Sequence, residues 1–287
     1  MESVTNILYP VDFSSSCVAM APYVRRAAAV YDAGVTLIHV FNPASYSGFE
    51  QTMRRPEDIA QDHEEIARHR LDTFLVAQFP LAEYPRVVVP GDPAIQIAHA
   101  ARRGFDLIIM PTHAGTFRHM LLGSTTAKVL NDADCPVLTS THAETIAPRP
   151  PEHRVLLCAV ALNEDSERVL RYSHRAAIQS GSQLLLIHVV PSADPKLPIL
   201  LDLEETIQSE ERQEARRRID ELQQRVGSSA TVLIVVGPIK EALLEAARQF
   251  DADALLIGRA PQSGARGRLR DLTYVLVRDS PFPVVSI

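Results

Sequence analysis

The sequence has little that would cross-link the chain, anchor it to a membrane or make it basic. Its three cysteines, Cys17, Cys135 and Cys158, are odd in number and widely spaced, which excludes a disulfide scaffold. No CxxC or Cys/His zinc spacing occurs, and the set His113, His119 and Cys135 matches no standard metal site. Long hydrophobic runs are also missing: segments such as Leu184–Ile187 stop far short of the ~20 residues that span a bilayer. The first residues, MESVTNILYPVDF, carry no basic stretch followed by an apolar one, so the chain is expected in the cytoplasm and off the membrane. Net positive charge is lacking as well. The 29 Lys+Arg against 35 Asp+Glu leave −6, which argues against nucleic acid or acidic lipid as a partner. A local anion site built from backbone N–H groups stays open, because it needs no net basicity. Of the basic residues only Lys128, Lys196 and Lys240 are lysines, a bias from which no function is read.

Several catalytic signatures are absent too. There is no P-loop GxxxxGK[ST], no early GxGxxG and no GxSxG elbow. The glutamates of the long helical stretches (Glu64, Glu65, Glu204, Glu205, Glu210, Glu211) lie off the apolar stripe and read as solvated surface. No base is placed to activate water, which speaks against fast hydrolysis.

What the sequence does have is itself, twice. Asn6–Val11 (NILYPV) returns as Val155–Val160 (VLLCAV), and Val35–Val40 (VTLIHV) as Leu184–Val189 (LLLIHV), with His39 and His188 149 positions apart. Asp106–Met110 (DLIIM) corresponds to Asp253–Ile257 (DALLI), and Cys135–Leu138 (CPVL) to Phe282–Val285 (FPVV), both at an offset of 147. A length of 287 residues suits two such domains, each large enough for its own core. The proline-bearing stretch Thr141–His153 reads as a linker, giving domains over 1–145 and 152–287.

Within each copy, short Val/Ile/Leu runs alternate with helical patterns. In the first, Ser14–Ser16 cap a helix to about Tyr31, and a longer helix spans about Pro56–Phe79. A strand at Arg86–Val89 precedes Gly91-Asp92-Pro93, which opens a helix to about Arg103. Strand Asp106–Met110 leads through a loop to a helix near Ser124–Asn131 and a last strand at Val137–Ser140. The second copy repeats the plan, its long helix near Leu203–Val226. Each domain is therefore expected to be α/β and Rossmann-like, with a five-stranded, doubly wound parallel sheet whose ligands sit beyond the strand C-termini.

The chemistry concentrates between Met110 and Thr126, MPTHAGTFRHMLLGSTT. Gly123 leaves room for close approach, and Ser124 and Thr125 stand where a helix begins, with unpaired N–H groups suited to an anion. A capped helix behind an ordinary loop is the other reading of the same residues. Together with DFS at Asp12–Ser14, HV at His39-Val40, and DCPVL after the helix, this stretch resembles the universal stress protein family. The resemblance runs through both halves, as in tandem members. It implies an adenine nucleotide α-hydrolase-like fold and the pairing of the two domains along their last strands, Val137–Ser140 and Val284–Ile287, as an intramolecular pseudo-dimer; it also allows a homodimer. It implies ATP, with Mg²⁺, in the first domain only. Asp12 would lie beside the adenosine and the Val40 backbone would contact adenine. Thr112, His113 and Gly115 belong to the loop, and Gly123, Ser124 and Thr125 would hold the phosphates.

The departures from the family pattern are equally specific. Its first loop glycine is Pro111, which has no N–H, and the second is Ala114, or Gly115 with a slip of one. The spacing to Gly123 is one residue short. His39, closing a buried strand, is read as satisfying a backbone carbonyl. In the second copy Ala161 replaces Asp12, and Arg270, Asp271 and Leu272 replace Gly123, Ser124 and Thr125. A carboxylate at that helix start would fill the anion site from within. Two functions follow: a stress-response nucleotide binder with the second domain as scaffold, or an interaction module presenting a surface to a protein partner. Slow ATP hydrolysis is a weaker third.

Overall fold

The computed structural model describes residues 4–42, 56–112, 122–140, 154–191, 201–259 and 268–287, and for 56–59, 201–207 and 268–271 the backbone alone. The chain divides into two compact units, 1–148 and 149–287. In the first, β1 (Asn6–Pro10), β2 (Gly34–Phe41), β3 (Arg86–Pro90), β4 (Leu107–Pro111) and β5 (Val137–Ser140) alternate with α1 (Ser15–Tyr31), α2 (Pro56–Thr73), α3 (Pro93–Ala101) and α4 (Ser124–Asp132). The strands are parallel in the order β3-β2-β1-β4-β5. The order reverses between β1 and β4, which opens a crevice beyond their C-terminal ends. Both central strands are buried on both faces, and this is why they read as unbroken apolar runs.

Local chemistry sets the helix ends. The Ser14 hydroxyl accepts from the Cys17 amide at 3.2 Å to start α1, which stops at Asp32 in the left-handed region (φ 50). Asp92 caps α3 through the Ala94 and Ile95 amides at 2.9 and 3.2 Å, with Pro93 in the first turn. Those bonds, that to Ile95 first, hold the Asp92 carboxyl below its usual range.

One helix is shorter than its periodicity predicts. The apolar spacing extends to Phe79, yet α2 ends at Thr73, and Leu75 takes a positive φ of 51. The cause lies on the neighbouring strand. The Arg86 guanidinium donates to the carbonyls of Leu71, Phe74 (2.8 Å) and Phe79 (2.7 Å), fixing the chain as turns where the helix would have continued. Phe79 then packs fully buried against Tyr9, with ring centroids 5.8 Å apart.

The second unit has β6 (Val155–Ala159), α5 (Ser166–Ser180), β7 (Gln183–Val190), α6 (Leu201–Val226), β8 (Thr231–Val236), α7 (Ile239–Gln249), β9 (Ala254–Ile257), α8 (Arg268–Asp279) and β10 (Val284–Ser286). Its parallel order, β8-β7-β6-β9-β10, repeats the first. The duplication extends to single hydrogen bonds. Asp106 Oδ2 accepts from the amides of Thr5 (2.9 Å) and Asn6 (3.0 Å) and from the Thr5 hydroxyl (2.8 Å), tying the start of β4 to β1. Asp253 Oδ2 accepts from the Val155 amide at 2.7 Å in the equivalent place. The repeated aspartate is thus a strand brace. Asp106→Ala is expected to cost about 1–2 kcal/mol, the bonds being charge-assisted but exposed. An unchanged urea midpoint would remove the brace from the account.

Candidate functional site

The first domain's site residues stand on the ends of three elements. Asp12 follows β1, Val40 lies near the end of β2, and Pro111 and Thr112 close β4. Parallel pairing of these strands brings their C-termini to one edge of the sheet. The first turn is tightly built. Asp12 Oδ1 accepts from the Ser14 amide at 3.0 Å and lies 3.1 Å from the Cys17 thiol. Burial, then the Asp12 charge, pushes that thiol up to about 12, so Cys17 is a neutral core residue and no nucleophile. Between Asp12 and Ser14, Phe13 adopts φ 65, and Leu162 repeats this in the second unit with φ 56. A positive φ on a bulky residue costs free energy and points to a turn shaped for function.

His39 takes the place expected of it. Its Nδ1 bonds the Val11 carbonyl at 2.8 Å, and His188 bonds that of Val160 at 2.7 Å. Burial chiefly keeps the His39 pKa below its ordinary value, so the ring is neutral at pH 7 and its Nδ1–H donates. The Phe13 ring lies over His39 (centroids 4.3 Å), is met edge-on by Phe74 at 5.3 Å and carries the Arg70 guanidinium 4.3 Å from its centre. The sequence reading missed Phe13, Arg70 and Phe74. Phe13 is flanked by two site residues, but Arg70 and Phe74 come from the end of α2, and only the fold brings them there.

At the other side of the crevice, α4 begins at Ser124 with Gly123 as its cap residue, and no side chain caps that end. Among the described residues the Ser124 and Thr125 amides have no acceptor, while the Thr126 hydroxyl reaches the Pro111 carbonyl at 3.4 Å, holding the helix start against the end of β4. Thr112 is buried, and its hydroxyl has no partner among the described residues. β4 runs through Pro111, paired with Ser140. His113, Ala114 and Gly115 lie outside the described residues.

The second unit keeps the positive-φ turn and the histidine but differs at the carboxylate and at the helix start. Ala161 is exposed where Asp12 stands in the first unit, and α8 opens at Arg268, making Asp271 its fourth residue where Ser124 is the first of α4. Asp271, expected at the helix start, is therefore three residues into α8. Beyond the ends of β6, β7 and β9 lies a pocket of about 260 Å³ bounded by α5, α7 and α8. Among the described residues no cluster of His, Cys, Asp or Glu could hold a metal, and no helix is long and apolar enough to cross a membrane.

Comparison with known proteins agrees with this architecture. The model of the universal stress protein family matches residues 3–140 and again 152–287. A universal stress protein of Mycobacterium tuberculosis is 23% identical over 275 residues, covering 93% of this chain and 90% of the relative. A solved universal stress protein from Archaeoglobus fulgidus superposes with a TM-score of 0.71 at 20% identity, over 99% of this chain and 98% of that one. A functionally unknown protein from Pseudomonas aeruginosa gives 0.62 at 18% identity, over 99% and 92%. With both halves matched, the chain belongs to the universal stress protein family as a tandem two-domain member.

Proposed function

We propose that this universal stress protein binds an adenine nucleotide, ATP with Mg²⁺, in its first domain, in the cytoplasm, and that its second domain binds none. The observation that carries the reading is the start of α4: a helix N-terminus with no side-chain cap, held beside β4 by the Thr126 hydroxyl, while the buried Thr112 hydroxyl just after β4 has no partner among the described residues. Free amides, the positive end of the helix dipole and an unused hydroxyl suit phosphate oxygens. Asp12, exposed just after β1, offers a carboxylate to ribose hydroxyls, and the Val40 backbone a contact to the base. ATP supplies the charge that this helix end would satisfy. The chain's own part is to bind and orient it.

Asp12→Asn is the test. Asparagine keeps an oxygen for the Ser14 amide, so the turn survives while the charge is lost. ATP affinity, measured by calorimetry on the whole chain, is expected to fall about tenfold, one charge-assisted bond being replaced by a neutral one. Ala161→Asp should confer no second site. Full-strength binding by Asp12→Asn would place the nucleotide elsewhere, and no binding by the parent would overturn the reading.

One observation favours the interaction-module reading. Pro111, paired within the sheet, offers no N–H where the family loop has a glycine donor. Mass spectrometry of small molecules released by denaturing the purified protein separates the two, since the module reading expects no nucleotide.

A further inference from the structure

The second domain's pocket is no nucleotide site, but it is well formed. Its described walls include Val160, Val169, Ile187, Leu243, Ile257 and Leu276, contributed by two strands, the end of a third and three helices. Its volume of about 260 Å³ lies just below the ~300–1,000 Å³ of pockets for drug-sized ligands. The polar groups in its wall are few and mostly spent. The Ser166 hydroxyl and the Asn163 side chain bond each other at 3.1 Å and nearby amides besides. Arg259 already has an interaction of its own.

His188 is different. Its Nδ1–H donates to the Val160 carbonyl, so in the neutral ring it is Nε2 that carries the lone pair and accepts. That nitrogen has no partner among the described residues. The wall therefore offers mainly aliphatic surface, with the His188 Nε2 acceptor and the Thr273 hydroxyl among its polar groups. At the rim, exposed Ala161 brings no carboxylate to meet the hydroxyls of a sugar. An anion entering such a pocket would be desolvated against mostly aliphatic walls, with Arg259 already engaged, whereas a compact apolar ring system loses little conformational freedom on binding.

We propose that this pocket binds an uncharged ring-bearing molecule of about ten to a dozen non-hydrogen atoms, with one O–H or N–H group that donates to His188 Nε2. The site is separate from the nucleotide reading of the first domain, and it stands if that reading fails.

The fluorescent phenol 2-naphthol is a suitable probe, titrated into the full chain. Saturable binding is expected with Kd about 10–100 µM, the range for a ligand of this size at ordinary efficiency. Its methyl ether, which has no donor, should bind roughly 3–10-fold more weakly, and 2-naphthoate, an anion that only accepts, more weakly still. Ala161→Trp covers the mouth from an exposed position and should lower 2-naphthol affinity at least about tenfold, with the thermal midpoint unchanged. Should that variant unfold, transfer of magnetisation from bound 2-naphthol to the Leu243 and Leu276 methyl groups of the parent locates the probe directly. Saturating ATP should not displace it. Absence of saturable binding would show the pocket filled by the chain's own neighbouring segments and overturn the proposal. Equal affinity for the ether, indifference to Ala161→Trp, or displacement by ATP would overturn it too. ATP affinity itself is read separately by calorimetry, so the two proposals fail independently.

Discussion

Arg86→Met is expected to destabilise the first domain by about 3 kcal/mol, among the larger effects a single side chain can have. The guanidinium serves three carbonyls, those of Leu71, Phe74 and Phe79. Each bond to a charged donor is worth roughly 1.5–3 kcal/mol, but the site is half-buried, so water recovers part of the loss. Methionine keeps most of the stem's packing, which isolates the polar contribution. A further share comes from the positive charge at the C-terminal end of α2, where the helix dipole favours it. Arg86→Lys should be intermediate: the charge stays, but an ammonium cannot span three carbonyls as a planar fork does. Urea unfolding followed by circular dichroism reads the stability, and hydrogen exchange of the α2 amides reads its location. If Arg86→Met shifts stability by less than 1 kcal/mol, those carbonyls are satisfied by water and the helix end is set by something else. A functional echo is expected as well. The turns after α2 hold Phe74, and its last residues hold Arg70, the two partners of Phe13 beside Asp12.

Arg86 marks the limit of what the sequence showed. Strands of nearly unbroken Val, Ile and Leu, the repeat offset and the caps at Ser14 and Asp92 were legible because they depend on nearest neighbours and on period. His39 was legible as a carbonyl partner because a lone polar ring at the end of a buried strand has few other ways to be satisfied. The end of α2 was not, since the apolar period continues to Phe79 while the group that interrupts the helix lies on β3. Phe13 gave no sign of its place between Asp12 and Ser14, since a positive φ leaves no mark on residue type unless glycine supplies it. The second-domain pocket was invisible for a different reason. Val169, Leu243 and Leu276 satisfy helical periodicity as core residues do, and a period cannot distinguish a face that meets another side chain from one that meets a cavity. Asp271 was misjudged by helix phase: α8 starts earlier relative to the duplicated strands than α4 does.

Replacing both Pro111 and Ala114 by glycine is expected to raise ATP affinity of the first domain about tenfold or more. Pro111 removes a donor at the point where β4 gives way to the loop, and its fixed φ limits how the loop departs. Ala114 adds a Cβ where the family pattern has none. A charge-assisted backbone bond is worth roughly 1.5–3 kcal/mol, so regaining one donor corresponds to about 10- to 150-fold in affinity. Against this stands the freedom of two glycines in the unbound loop, a cost of roughly 0.5–1 kcal/mol each. Subtracting about 1–2 kcal/mol leaves at most about 30-fold, and the tenfold expectation lies within that limit. Pro111 carries a second consequence. Its carbonyl receives the Thr126 hydroxyl at the start of α4, so the glycine variant must keep that bond if the helix end is to stay in place. Titration of Pro111→Gly/Ala114→Gly against the parent, with and without Mg²⁺, measures the net effect, and circular dichroism checks that the domain is intact. An intact double variant that binds no better would assign the weakness to the loop's missing residue rather than to its side chains. A phosphate would then be unable to reach the Ser124 amide whatever donors the loop presents, and the interaction-module reading would gain at the expense of the nucleotide one.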